Sequence, residues 1–409
     1  MKHFKTGHVI SIAAAHLLHD AFTSFFAPLL PLLIEKLGFS YAVAGMLSVV
    51  QRIPALFNPL IGLAADRLVI RSAIVAAPVI TIVCMSLLGV APSVAILALL
   101  FFVSGISAAV FHVTAPVFMR QVSGDRIGRG MSAFMSGGEL ARTFGPLLVT
   151  AAVSWWGLAG LWKLIPFGLV ASFVLLLNLR KINKKHIQNH HISDKAPLGQ
   201  TARQITPFFA SITPVMLFRS FSKTALSTFL PAYMVATGSS IKTAAVALAL
   251  MELMGAAGAL LAGTWSDRIG RKTILVAVAV LSPVLMGLFT IATPIWQWVL
   301  IALMGLVLFA NTPVFMAMIH DLNTDRPSFV NGTYMTVNFL TVSTVALLVG
   351  ASADRFGFVA TYQLCAAIAL GAIPFTCLIA HTNPIQPIHS GLLSEPPRQS
   401  IETRSKQHG

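Results

Sequence analysis

Twelve apolar segments, each long enough to cross a bilayer, limit this chain to one broad class of fold. They run at about 9–34, 42–64, 72–91, 94–118, 131–154, 158–179, 207–235, 242–264, 273–293, 295–318, 330–353 and 359–380. About 20 residues in a helix rising ~1.5 Å per residue cover a hydrocarbon layer ~30 Å thick. Breaks fall at polar or turn-forming stretches such as Glu35-Lys36-Leu37-Gly38, Ala91-Pro92-Ser93 and Ala292-Thr293-Pro294. Of 409 residues, 56% are hydrophobic and only 10% charged, against ~25% charged in ordinary soluble domains. That leaves too little polar surface to cover a globule in water. The expectation is an all-α membrane protein with twelve transmembrane helices.

A net charge of +15 in a soluble protein suggests nucleic acid, but in a chain with many spans its distribution carries topological meaning. With the N-terminus inside, twenty Lys and Arg residues fall on inside segments and four (Lys36, Lys163, Lys242 and Arg355) on outside segments. That excess predicts both termini in the cytoplasm and a plasma-membrane location, the inner membrane in a Gram-negative bacterium, with no nucleic-acid partner. The first apolar segment is too long for the core of a signal peptide and is followed by further spans, so it reads as uncleaved. Residues 180–206 hold the one long polar interruption and divide the spans six and six. The expected layout is a bundle at 1–179, a basic cytoplasmic linker at 180–206, a second bundle at 207–380 and a disordered cytoplasmic tail at 381–409. His186, His190 and His191 in the linker read as part of a solvated basic loop and not as a metal site. Cys84, Cys365 and Cys377 lie in apolar stretches, and the last two stand too far apart along one helix to form a disulfide.

The two halves match when one is slid over the other. Gly62-Leu-Ala-Ala-Asp66-Arg67 recurs as Gly263-Thr-Trp-Ser-Asp267-Arg268 at an offset of 201, Pro116-Val-Phe-Met119 as Pro313-Val-Phe-Met316 at 197, and Asp125-Arg126 as Asp325-Arg326 at 200. Three matches in register, each at the corresponding span, predict a duplicated six-helix unit of the kind that secondary transporters use. At these residues the chain resembles the major facilitator superfamily over essentially its whole length. The loop pattern G-x-x-x-D-R-x-G-R-[RK] is complete at Gly263, Asp267, Arg268, Gly270, Arg271 and Lys272. The first half keeps Gly62, Asp66, Arg67 and Arg71, with Val69 and Ile70 where the pattern has Gly-Arg. The resemblance implies two pseudo-symmetric bundles, a cavity lined by spans 1, 4, 7 and 10, contact between spans 5 and 8, and loop residues forming charged latches that break and remake as the halves move. Within the superfamily, His16-Leu-Leu-His19-Asp20, Pro28-Leu-Leu-Pro31, Asn58-Pro59-Leu-Ile-Gly62 and Val110-Phe111-His112 are similar to the fosmidomycin resistance group of efflux proteins. Phe101 stands where proton-driven drug antiporters carry an Arg in span 4.

Ionisable residues at mid-bilayer cost about 2.5–3.5 kcal/mol on insertion scales, so each needs a partner, a wet cavity or a protonated state. The chain has seven: Asp20, Arg52, Glu139, Arg142, Arg219, Lys223 and Glu252. Aligning Ser24–Pro28 with Ser227–Pro231, an offset of 203, sets His16 opposite Arg219 and Asp20 opposite Lys223. Each pair is i, i+4 and shares a helix face. An acidic wall of His16, Asp20 and His112 is therefore expected to face a basic wall of Arg219 and Lys223 across the cavity. A bland alternative makes Asp20 and Lys223 a neutralising structural pair and leaves the histidines on backbone carbonyls; for His19 that alternative is the expectation. Arg52 is a candidate to compensate Asp20 or to touch substrate. Arg142 is expected to pair with Glu139 within span 5 or to reach Glu252 across the halves. Two carboxylates around one guanidinium leave one acid free to carry a proton, alongside Asp20. His16, His19 and Asp20, at i, i+3 and i+4, also suit a transition metal with His112 as a further ligand, but Arg219 and Lys223 repel such an ion, so neither metal nor other cofactor is expected. Trp155, Trp156, Trp296 and Trp298 read as interfacial anchors.

Together these features predict a monomeric, non-enzymatic secondary transporter in the lipid bilayer. It is expected to export a small anionic or amphiphilic compound, such as an antibiotic, in exchange for protons, since the interior leans positive and Arg binds oxyanions bidentately. No phosphate-binding loop is present to draw on ATP. Two alternatives stand beside it: proton-coupled uptake of an organic acid or sugar, and a membrane-embedded enzyme, sensor or metal-ion carrier using His16, His19 and Asp20.

Overall fold

Inside hydrocarbon every backbone N–H and C=O must find an internal partner, and the helix satisfies them all within one segment. The computed structural model describes residues 4–58, 61, 70–124, 127–179, 198–322, 324 and 327–379, and each expected span among them is helical. Span 1 comprises Thr6–Thr23 and Phe26–Leu37. Span 2 is Tyr41–Arg52 continued by the 3-10 turn Ile53–Phe57, and span 3 is Ile70–Ser86 with the turn Leu88–Val90. Span 4 is Val94–Val122, span 5 is Ile127–Trp156, and span 6 is Leu164–Leu179 preceded by the turn Leu158–Lys163. Spans 7, 8 and 9 are Leu198–Ala236, Ile241–Ile269 and Arg271–Ile291. Span 10 is split into Pro294–Leu308 and Asn311–Asp321. Spans 11 and 12 run through Pro327–Ala369, turned at Gly357 with φ 74°, and end with Ala372–Leu378.

Span 7 begins within the stretch expected as linker, because Thr201 and Ile205 are buried against its own half. The rest of the expected linker, 180–197, and the tail from 380 lie outside the described residues. Among the described residues, seven helical stretches are long and apolar enough by themselves to cross a membrane. Spans 5 and 7, which carry Glu139 with Arg142 and Arg219 with Lys223, are not among them.

Two spans that read as continuous are broken where proline removes a backbone donor. Pro28 cannot give Ser24 C=O its i+4 partner. The preceding turn closes on backbone and side chains together, with Ser24 N–H donating to Asp20 O at 3.1 Å, Thr23 Oγ1 to Asp20 O at 2.9 Å and Ser24 Oγ to Ala21 O at 2.8 Å. In span 10, Pro313 does the same to Phe309 C=O. Broken helices near mid-membrane are where transporters of this build place their sites.

The repeat is visible in the packing. A Cβ on Gly105 of span 4 would strike the carbonyl of Gln51 in span 2, and a Cβ on Gly305 of span 10 would strike the carbonyl of Met251 in span 8. Both residues of the pair are displaced by 200 positions, and in each half the missing side chain lets two helix backbones touch. Between halves, span 5 packs on span 8, span 2 on span 11, and Phe26–Leu37 of span 1 on span 7.

The apolar cores divide unequally along the membrane normal. At the end remote from the chain's N-terminus, Leu29, Leu30 and Leu33 of the first half join Phe229, Leu230 and Tyr233 of the second in one continuous cluster. Toward the N-terminal face there are two separate clusters. One is built around Ile12, Phe111 and Phe118 of the first half, the other around Ile212, Phe315 and Val330 of the second. The halves are thus sealed at the far end and part toward the near end. Across the seal, Asp354 at the far end of span 11 accepts the backbone N–H of Tyr41 and of Ala42, each at 2.8 Å. Tyr41 stacks edge-on to Phe358 at 4.5 Å.

Candidate functional site

Asp20 lies one turn before the break in span 1, with 14% of its side chain exposed. His16 Nε2 approaches one of its oxygens at 3.2 Å, and His112 Nε2 from span 4 approaches the other at 3.3 Å. His16 is held from behind: Nδ1 lies 2.7 Å from the Phe134 carbonyl of span 5 and its ring stacks on Phe134 at 4.0 Å. A Cβ on Gly138 would fall 2.5 Å from His16 Cε1, so the ring occupies the space a side chain at 138 would need. His112 has no such anchor and is 39% exposed. The three expected members of the acidic wall therefore do come together. Their ligand atoms lie within 4.8 Å of one another, compact enough to hold one small cation. The positive field of Arg142, felt by both Asp20 and His112, weighs against a divalent one.

The second constellation also assembles, by both expected routes at once. Arg142 makes a close contact through Nη2 with Glu139 Oε1 in its own helix, and its Nε lies 3.8 Å from Glu252 Oε2 of span 8 in the other half. One guanidinium thus stands between two carboxylates, and Glu139 Oε2 and Glu252 Oε2 are left without hydrogen-bond partners.

The basic wall is built differently from expectation. Arg219 is buried and lies over the Phe315 ring at 5.4 Å, and Lys223 Nζ lies 4.5 Å over Phe309, the residue at the break in span 10. Among the described residues neither cation makes an ion pair or hydrogen bond, so Asp20 and Lys223 are not a neutralising couple. The aromatic faces supply what the carboxylate was expected to supply, and Asp20 is satisfied within its own half. Lys223 nevertheless lies in the field of Glu252, Glu139, Arg142 and Arg219, which links these five residues into one polar region. Arg52 likewise makes no ion pair among the described residues and does not reach Asp20. His19 departs from expectation too. It is fully buried, stacks on Phe111 at 4.6 Å, and neither ring nitrogen finds a partner.

In the loop pattern of the second half, Gly270 adopts φ +94°, a left-handed conformation that favours glycine. The contact that forms is Arg271 Nε to Asp321 Oδ2 at 2.9 Å, with Nη1 to Ser266 Oγ at 3.0 Å, tying spans 8, 9 and 10 of one half. Lys272 Nζ donates to the Cys377 carbonyl at 2.6 Å. Arg268 is exposed. Gly62, Asp66 and Arg67 lie outside the described residues, as do the side chains of Gly263 and Asp267. Trp155 and Trp296 are exposed as anchors are, whereas Trp156 stacks on Phe167 and Trp298 packs against the shared core.

The profile of the Major Facilitator Superfamily matches residues 12–337 and 212–405. The chain belongs to this superfamily. Relatives include the fosmidomycin resistance protein of Escherichia coli (strain K12), 24% identical over 88% of this chain and 89% of its own length. An uncharacterized MFS-type transporter, YfnC, of Bacillus subtilis (strain 168) is also 24% identical, over 92% of both chains. Among solved structures, a bacterial homolog of the human lysosomal transporter Spinster in an inward-facing, occupied conformation aligns with TM-score 0.73 at 12% identity, covering 92% of this chain and 95% of that one. A D-xylose-proton symporter aligns with TM-score 0.71 at 14% identity, covering 91% and 97%. At these identities the structural likeness carries the fold: a multi-pass membrane transporter of two six-helix bundles.

Within the Major Facilitator frame, the polar region sits where the two apolar cores part. Several of its buried polar atoms lack a hydrogen-bond partner among the described residues: Arg219 Nε, Glu252 Oε2 and Asn311 Oδ1. Buried polar groups are normally satisfied, so a concentration of exceptions marks surface meant for something else. Four contributors were not singled out from sequence. Phe134 and Gly138 act through backbone and absence of side chain, and Phe309 and Phe315 resemble ordinary packing; only the Gly137-Gly138 pair carries a readable signal of close helix approach.

Proposed function

We propose that this protein is a secondary active transporter that exports a small anionic compound, of the phosphonate or carboxylate kind, in exchange for protons. The observation that carries the reading is the charge asymmetry of the cleft. One wall holds a carboxylate surrounded by histidines, and the other holds Arg219 and Lys223, neither in an ion pair among the described residues. An oxyanion arriving between the walls supplies a direct partner to Arg219 and Lys223, and Arg offers it paired donors. A proton arriving at Asp20, or at Glu139 or Glu252 beside Arg142, removes a negative charge from the same region and changes its affinity for that anion, which couples the two ligands. The cores sealed at the far end and parted at the near end supply one of the two arrangements of alternating access. The excess of Lys and Arg on the near-end segments supports a cytoplasmic near end, with both termini on that side, and the naming of one relative for fosmidomycin resistance supports export.

The test is flux in everted vesicles under an imposed pH gradient, with fosmidomycin as the first probe. Export predicts that probe accumulates inside when the lumen is acid and that Asp20→Asn loses the dependence on the gradient. Probe lost from preloaded vesicles under the same gradient points to uptake instead, and gradient-driven flux undiminished in Asp20→Asn removes Asp20 from the coupling.

A further inference from the structure

The hydrogen-bond inventory of His16 permits a sharper statement about where the exchanged proton resides. A backbone carbonyl can only accept, so His16 Nδ1, 2.7 Å from Phe134 O, must carry its hydrogen. In a neutral imidazole the other nitrogen then bears a lone pair. That nitrogen lies 3.2 Å from an oxygen of Asp20. If Asp20 is ionised and His16 neutral, two lone-pair atoms are pressed together in a buried setting, with no hydrogen between them. One additional proton resolves the contact, whether it sits on His16 Nε2 or on the carboxyl. The ring cannot turn away, because Phe134 stacks on one face and Gly138 packs against its edge.

We propose that His16 and Asp20 jointly hold one exchangeable proton, loaded and released through His112. Calling that proton a transported one rests on the transport reading above; its location does not. His112 suits the relay because its Nε2 lies 3.3 Å from the second Asp20 oxygen, it has no carbonyl anchor, and its side chain is partly exposed. The exchange is balanced: a hydronium gives a proton to His112 Nδ1 and becomes water, His112 Nε2 passes its own proton to Asp20 Oδ1, and the carboxyl turns to bring that proton to the His16 side. The groups facing the pair are His19 on span 1, His112 on span 4 and Arg142 on span 5, with Glu139 and Glu252 beyond Arg142. His19 is dry and unpartnered, so it offers the proton no second exit. Arg142 places a positive charge beside the pair.

The decisive measurement is made on full-length protein in lipid with 15N-labelled histidine, together with infrared difference spectra in light and heavy water. The expected result is one histidine protonated at Nδ1 with a proton shared between Nε2 and a carboxyl, seen either as an imidazolium or as a deuterium-sensitive carboxylic-acid band. Both signatures should vanish in Asp20→Asn. A neutral His16 with bare Nε2 beside an ionised Asp20 in the wild type overturns the proposal. In proteoliposomes given fosmidomycin, His112→Gln should slow gradient-driven proton uptake roughly a hundredfold, the scale of losing a positioned proton-transfer group, while keeping the His16 signature. Uptake at the wild-type rate in that variant overturns the relay. Absence of fosmidomycin-linked proton flux in the wild type fails the transport reading alone, since the spectra still decide where the proton sits.

Discussion

Removing the Asp354 carboxylate should loosen the far-end seal without unfolding either half. Its two oxygens each accept a backbone N–H, from Tyr41 and Ala42, at 2.8 Å, at the N-terminus of a helix belonging to the other half. A hydrogen bond to a charged acceptor is worth about 1.5–3 kcal/mol where water is excluded, with some tenths more from the helix dipole. Asp354 is exposed, and exposed charges are screened, so the pair together is worth about 1 kcal/mol. Asp354→Ala should therefore raise the population opened at the far end about fivefold. Ser154 and Lys242 flank one cleft at the seam of spans 5 and 8. Spin labels at Ser154→Cys and Lys242→Cys, in a background lacking Cys84, Cys365 and Cys377, would report the change as a larger long-distance fraction. Ser40→Ala is the control. Ser40 Oγ accepts the N–H of Val43 at 3.3 Å and caps the same helix from inside its own half. That variant should lower helix stability by about 1 kcal/mol and leave the distance distribution where it was. If Asp354→Ala leaves the distribution unchanged, or Ser40→Ala shifts it equally, the contact is a helix cap and not a latch.

Further outcomes follow from the packing and the charges. Gly138→Ala should lower thermal stability by about 1–3 kcal/mol through overpacking against His16, whereas Gly7→Ala, with nothing within 4 Å, should be neutral or slightly stabilising; thermal unfolding in detergent separates them. Arg142→Gln leaves Glu139 and Glu252 facing each other uncompensated and should cost about 1–2 kcal/mol, less than a fully buried pair because the Arg142 side chain is 40% exposed. Adding Glu252→Gln should restore part of that loss, read in the same melts as a non-additive double mutant. For Arg271 and Asp321, whose side chains are 26% and 43% exposed, a double-mutant cycle should return a coupling of only about 0.5–1 kcal/mol, so the loop pattern contributes more through its geometry at Gly270 than through this ion pair.

The spans were legible because a run of apolar residues long enough to cross lipid has few alternatives, and the repeat because Asp-Arg pairs and Pro-Val-Phe-Met recur in register. The breaks at Ser24 and Phe309 were less legible. Proline sits inside several helices here without breaking them, Pro146 and Pro214 among them, and the difference lies in tertiary packing. Pairing i, i+4 brought His16 to Asp20 and Arg219 to Lys223 correctly as helix faces. It did not give the partner across the cleft, because a sequence offset sets register and not rotation, and Phe309 and Phe315 look like any other apolar residue until the helix is placed. Asp354 and Asp321 escaped notice for the opposite reason. Acids at the ends of spans read as solvated loop residues, and their partners are a backbone 313 positions away and an arginine 50 positions away.

The single hydrophobic cluster that joins the halves at one end, against two separate clusters at the other, sets a limit on how fast such a machine can turn over. Under the alternating access proposed above, each cycle wets the leucines and phenylalanines of that joint and dries an equal expanse on the opposite side. A greasier joint would hold one state too long, and a more polar one would leak ions. Mutations that enlarge or whiten this surface with polar atoms far from any charge should therefore change speed and tightness together, in opposite directions.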